Sequence, residues 1–146
     1  MVKVMIAEDD LMIADLAEEI LVEHGYEVCG IARTVDEAVA LGRHHKPDLA
    51  VLDLRLADGG LGTEIAARLS PLGKLGILYA SGNIPQVILT AANGVACLAK
   101  PYRSADLLRS LEIVTEIVAT GTALPPFPRG FQLLHATTTT RAAVRT

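Results

Sequence analysis

Short apolar runs alternate with amphipathic segments from residue 2 to about residue 119, and this alternation restricts the fold more than any other property of the chain. Residues 2–7 read as a strand, and residues 11–24 as a helix with Ile13, Leu16, Ala17 and Ile20 on one face. Gly25 stands where a left-handed glycine ends such a helix. Residues 26–32 form a second apolar run. Thr34, followed three residues later by Glu37, makes a capping box that opens a helix running to about residue 45. Pro47 interrupts the chain before a third run at 48–52. A glycine-rich loop through Gly62 leads into a helix over 63–69, stopped by Ser70 and Pro71. Residues 75–80 give a fourth strand, a short helix is expected near 85–92, and residues 95–99 give a fifth strand. Ser104 is placed to cap a last helix reaching about residue 119.

Strands that alternate with helices predict an α/β fold with an open, doubly wound parallel sheet and helices on both faces. Five strands suit the flavodoxin-like order 2-1-3-4-5. That order sets the second and fifth strands on opposite sides of the sheet, so Cys29 and Cys97 are expected to lie too far apart to bridge. Residues 1–120 make one domain. Residues 121–146 read as a tail without a fold of its own: Pro125, Pro126 and Pro128 forbid helix, and 137–140 is a threonine run.

The composition supports a packed core and narrows the partners. Hydrophobic residues make up 51% of the chain and charged residues 21%, which excludes wholesale disorder. The formal net charge of −4 comes with scattered Lys and Arg, so no basic face is offered to nucleic acid. No stretch approaches the roughly 18 apolar residues of a membrane-spanning helix, and the opening residues are too quickly acidic for a signal peptide. A cytoplasmic protein with two free thiols is the expectation.

In an open α/β sheet, chemistry collects at the carboxyl ends of the strands. Those ends carry Glu8, Asp9 and Asp10 after the first strand, Asp53 after the third, Ser81 after the fourth and Lys100 after the fifth. Carboxylates gathered so closely repel unless a cation sits among them. Oxygen donors without His or Cys point to a hard ion, and Mg²⁺ is the usual choice beside phosphate.

This ordered set resembles the receiver domain of two-component response regulators, the CheY-like family, over residues 2 to about 119. The resemblance implies that Asp53 is the phospho-acceptor, attacking the phosphoryl group of a phosphohistidine on a sensor histidine kinase or histidine phosphotransfer protein. Asp9, Asp53 and the backbone carbonyl of Arg55 would hold Mg²⁺, with Glu8 acting through water. Lys100 would pair with the phosphoryl oxygens, and Ser81 would respond to their arrival. Asp10 reads instead as the cap of the first helix. The chain would act as a stand-alone regulator of a phosphorelay, because no output domain follows in this sequence; a degenerate receiver that binds proteins without phosphorylation is the alternative.

Three features depart from the family pattern. Cys97 stands where an aromatic switch residue is usual. The loop Asp58-Gly59-Gly60-Leu61-Gly62 is unusually rich in glycine. Tyr79-Ala80-Ser81-Gly82 resembles the aromatic-Ala-Thr-Gly motif of one receiver branch; for Tyr79 and Tyr102 themselves core packing is the expected role. Rival chemistries fit poorly. An aspartyl phosphatase needs a second acid two residues after Asp53, where Arg55 stands, and an FMN site would meet repulsion from Glu8, Asp9 and Asp10.

The last helix has an apolar stripe wider than one sheet contact requires. Leu107, Leu111, Val114 and Val118 form its centre; Ile113 and Ile117 flank one side and Leu108 the other. A homodimer through Leu108, Ile113 and Ile117 is expected, in line with the surface receivers often use. The competing expectation is that Phe127, Phe131, Leu133 and Leu134 fold back over the flank.

Overall fold

A computed structural model describes residues 1–82 and 89–134. Its order is β1 (Lys3–Ala7), α1 (Leu11–Glu23), β2 (Glu27–Ala32), α2 (Val35–His45), β3 (Leu49–Leu52), α3 (Gly62–Leu69), a 3-10 turn (Ser70–Leu72), β4 (Gly76–Ser81), β5 (Ala96–Ala99), α4 (Ser104–Thr120) and β6 (Phe131–Leu133). The sheet order is β2-β1-β3-β4-β5-β6. The first five strands are parallel in the predicted 2-1-3-4-5 order, and β6 adds an antiparallel edge.

Alternation along each strand divides the core between two faces. Val4 and Ile6 of β1, with Leu49 and Val51 of β3, face α1 and α4. Met5, Ala7, Ala50 and Leu52 face α2 and α3. Because both sides are covered, the middle strand β3 is apolar and buried throughout. Cys29 in β2 and Cys97 in β5 are unbridged, with three strands between them in the sheet order.

Helix entries follow local chemistry. Asp10 caps α1, its carboxylate accepting from the N–H groups of Met12 at 3.0 Å and Ile13 at 3.4 Å. Thr34 accepts from Glu37 N–H at 3.2 Å, while the Glu37 carboxylate reaches back to Arg33 N–H at 2.8 Å. Gly25 follows α1 with φ +90, in the left-handed conformation foreseen for it.

Four expectations need correction. The sheet has six strands, the sixth drawn from the segment read as a tail. Ser104 is the first residue of α4, and Arg103 holds the cap position without a side-chain bond. Leu16 is 59% exposed because the buried stripe of α1 runs through Ala14, Ala17 and Leu21 instead. Ile113, read as an interface residue, is completely buried within the chain. It lies in a core that also takes in Phe131 of the folded-back segment. Leu108 and Ile117 are half-buried against this core and keep some exposed surface. The helix expected near 85–92 falls largely outside the described residues; 91–93 form a turn.

Candidate functional site

Strand register alone brings the acidic residues together. Ala7 pairs with Leu52 across β1 and β3, so Glu8 and Asp53 leave adjacent strand ends. Asp53 N–H donates to Ala7 O at 2.9 Å, and Glu8 N–H donates to Ala32 O at 2.9 Å, which fixes both backbones. On the other flank Ser81 pairs with Ala99, so the next residue, Lys100, emerges level with the carboxylates. Its ammonium contacts Glu8 Oε1 and lies 3.3 Å from Asp53 Oδ2.

Glu8, Asp9 and Asp53 each offer a carboxylate oxygen within 4.8 Å of the others. Glu8 is buried, whereas Asp9 and Asp53 are half-buried. Three hard oxygen donors at that spacing suit Mg²⁺, which tolerates one or two protein carboxylates and fills its remaining positions with water and phosphate oxygens. Asp53 Oδ1 accepts from Leu54 N–H at 2.8 Å, holding the carboxylate in one orientation.

The electrostatics follow from burial. Desolvation raises the Glu8 carboxyl from 4.5 to about 7, against the opposing hydrogen bond from Lys100. For Lys100 burial pulls downward, but the contact with Glu8 and the charge of Asp53 outweigh it, and its pKa rises. Lys100 therefore stays charged and partly neutralises the acids around it.

The other sequence-derived positions are placed as follows. Ser81 is buried at the end of β4, and its carbonyl accepts from Lys100 N–H at 3.3 Å. Arg55 is exposed just after β3 and bridges Leu61 in a small antiparallel turn. The bonds of that turn run from Leu56 N–H to Gly60 O and from Gly62 N–H to Leu54 O, so the carbonyl of Arg55 is not consumed by it. Asp10 faces away as a helix cap, although its N–H donates to Glu8 Oε2 at 3.1 Å. Tyr79 is a core residue whose hydroxyl donates to Asn93 O at 2.7 Å, and Cys97 is buried beside it in the same core.

Two features escaped sequence reasoning. The first is Gly62, where a Cβ atom would stand 2.2 Å from the backbone oxygen of Asp53. The glycine richness of the loop was visible, but the contact that demands it is not local. The second is an apolar groove of about 510 Å³ beside Lys100, walled by Ile13, Leu16 and Ile20 of α1 and by Pro101 and Tyr102.

The arrangement suits transfer of a phosphoryl group to a carboxylate: an oriented carboxylate, an acidic group that could hold a metal ion and a lysine converge at one end of the sheet. The chain matches the family model for the response regulator receiver domain over residues 4–112. It is 34% identical over 126 residues to the transcriptional regulatory protein PdtaR of Mycobacterium tuberculosis, a match covering 84% of this chain and 60% of that protein. It is 30% identical over 108 residues to the phyllosphere-induced regulator PhyR of Methylorubrum extorquens, covering 72% of this chain and 40% of the relative. Among solved structures, the signal receiver domain of a modulated diguanylate cyclase from Desulfovibrio desulfuricans G20 aligns with a TM-score of 0.71 at 28% identity, covering 82% of this chain and 97% of that one. The chain thus spans less than two thirds of the length of these two curated relatives. It belongs to the response regulator receiver domain family, the signalling domains of two-component systems.

Proposed function

We propose that the chain is a phosphorylation switch in which Asp53 accepts a phosphoryl group from a phosphohistidine and signals by protein–protein contact. The observation that carries this reading is the meeting of Lys100 with Glu8 and Asp53 while an Asp9 oxygen lies within 4.8 Å of both acids. The donor is a sensor histidine kinase or a histidine phosphotransfer protein. An Asp53 carboxylate oxygen attacks phosphorus, and the bond from phosphorus to the imidazole nitrogen breaks. The bond pair stays on that nitrogen, which takes up a proton from solvent, and an acyl phosphate remains on Asp53. Asp9 and Asp53, with the carbonyl of Arg55 and with Glu8 acting through water, would hold Mg²⁺, which would supply charge neutralisation for the crowded oxygens.

Lys100 balances the phosphoryl charge as it arrives, and Leu54 N–H keeps the nucleophile aimed. Ser81 reports the phosphoryl group from the end of the neighbouring strand. Leu11, Met12 and Leu16 leave an exposed apolar surface on α1 near this opening, which favours a protein donor. The reading carries a cytoplasmic location with it; among the described residues no helix is long and apolar enough to cross a membrane.

The test is phosphoryl uptake from a small-molecule phosphodonor in the presence of Mg²⁺. Asp53→Asn keeps the side-chain shape and removes the nucleophile, so uptake is expected to fall at least about 100-fold with the circular dichroism spectrum unchanged. Base-labile phosphate on the Asn variant at the wild-type level would show that another residue is the acceptor.

A further inference from the structure

Residues 121–134 do something that phosphoryl transfer to Asp53 does not require. After α4 the chain turns at Gly121, runs back beside the helix and lays β6 along the outer edge of β5. Ala99 N–H donates to Gly130 O at 2.9 Å, and Leu134 N–H donates to Val95 O at 2.9 Å. The Phe131 ring enters the core shared with Ile113, and Phe127 packs on it with ring centres 5.6 Å apart. Arg109 of α4 donates to the carbonyls of Leu124 at 2.7 Å and Pro126 at 3.2 Å, and also pairs with Glu112.

This cover is weakly held for its length. The Phe131 ring, the part-buried Ala123, Leu133 and Leu134, a three-residue strand and an arginine clip order a long stretch of backbone, and ordering backbone opposes that apolar gain. Pro125, Pro126 and Pro128 lessen the entropy to be lost, yet such a segment belongs to the part of a fold that opens first. Its upper clasp also adjoins the acceptor site. Ala99 holds Gly130, and the next residue, Lys100, holds Glu8 and Asp53. The last bond between the β4 and β5 ends runs from Lys100 N–H to Ser81 O at 3.3 Å.

We propose that residues 121–134 are an autoinhibitory cover that opens when Asp53 is phosphorylated, uncovering the outer edge of β5 and the Ile113 side of α4. The inference rests on Asp53 being the phospho-acceptor. A phosphoryl group brings added negative charge and three acceptor oxygens, which draw Lys100 away from Glu8. A shift of Lys100 moves the adjoining Ala99 N–H off Gly130 O, and the clasp unzips from that end.

Hydrogen exchange of the full chain with Mg²⁺, before and after a small-molecule phosphodonor, tests this directly. Phosphorylation is expected to speed exchange at the Ala99 and Leu134 amides at least about tenfold, with the β3 amides unchanged. Arg109→Gln and Phe131→Ala, each unphosphorylated, are expected to show the same acceleration, and the surface position of the first guards against a folding defect in the second. A chain carrying stoichiometric phosphate with Ala99 and Leu134 as protected as before overturns the cover alone. A chain that takes up no phosphate overturns both the cover and the acceptor reading.

Discussion

Glu8 carries opposing demands in one carboxylate. It is buried at the end of β1, touches Lys100 and lies beside Asp53, and burial lifts its pKa from 4.5 to about 7. Between those values the folded chain binds more proton at Glu8 than the unfolded chain does. Its contribution to stability is therefore complete below about pH 4.5 and disappears as pH rises through about 7. In metal-free buffer, wild type measured against Glu8→Gln is expected to lose about 1–3 kcal/mol between pH 5 and pH 8, read from urea unfolding. A difference that stays flat would mean that Lys100 holds Glu8 ionised throughout. These site residues were legible because each follows directly on an apolar run. Once the strand order is known, Glu8, Asp9, Asp53 and Lys100 must share one edge. Asp10 was separable from its neighbours for a local reason: a helix begins immediately after it and needs a cap.

Elements were legible where their cause is local and less so where it is not. The periodicity gave all five parallel strands and the entries of α1 and α2 to within about two residues, the usual spread of element ends. The buried stripe of α1 was misjudged at Leu16 because the spacing of apolar residues marks a face and not its edges. Strand β6 was missed because three prolines precede it and Phe131–Leu133 is too short to show a period. The start of α3 depends on a contact across the loop. Gly62 brings the helix against the strand that delivers Asp53, with room for nothing beyond Cα. Gly62→Ala would push a methyl group into the Asp53 carbonyl, and a backbone atom cannot swing aside. The expected loss is about 1–3 kcal/mol, accompanied by slower phosphoryl uptake because the acceptor is displaced. Gly82→Ala is the control: among the described residues no atom lies within 4 Å of its added Cβ, and stability should change by less than about 0.5 kcal/mol. Equal effects from the two substitutions would remove the close approach as the reason for Gly62.

At the scale of the molecule, the outcome turns on what covers the wide apolar stripe of α4. A helical wheel shows that the stripe exceeds one sheet contact, but it cannot distinguish a second chain from a returning segment of the same chain. Here Phe131 and Leu133 return, Ile113 is completely buried, and only the half-buried edges at Leu108 and Ile117 remain for contact. Those edges are small compared with the roughly 800 Å² per partner of a stable interface. The unphosphorylated full chain is therefore expected to sediment as a monomer at concentrations on the order of tens of micromolar. Truncation after Thr120 removes the Phe131 ring, whose burial is worth about 1.5–3 kcal/mol, and lays open both Ile113 and the hydrogen-bonding edge of β5. Such an edge recruits other strands unless it is blunted. The truncated chain should unfold at lower urea and associate with increasing concentration, as seen by velocity sedimentation. A truncated chain that remains monomeric and as stable as the full one would show that the returning segment covers nothing of consequence. A full-length chain that sediments as a dimer would return Leu108 and Ile117 to the interface first read from the sequence.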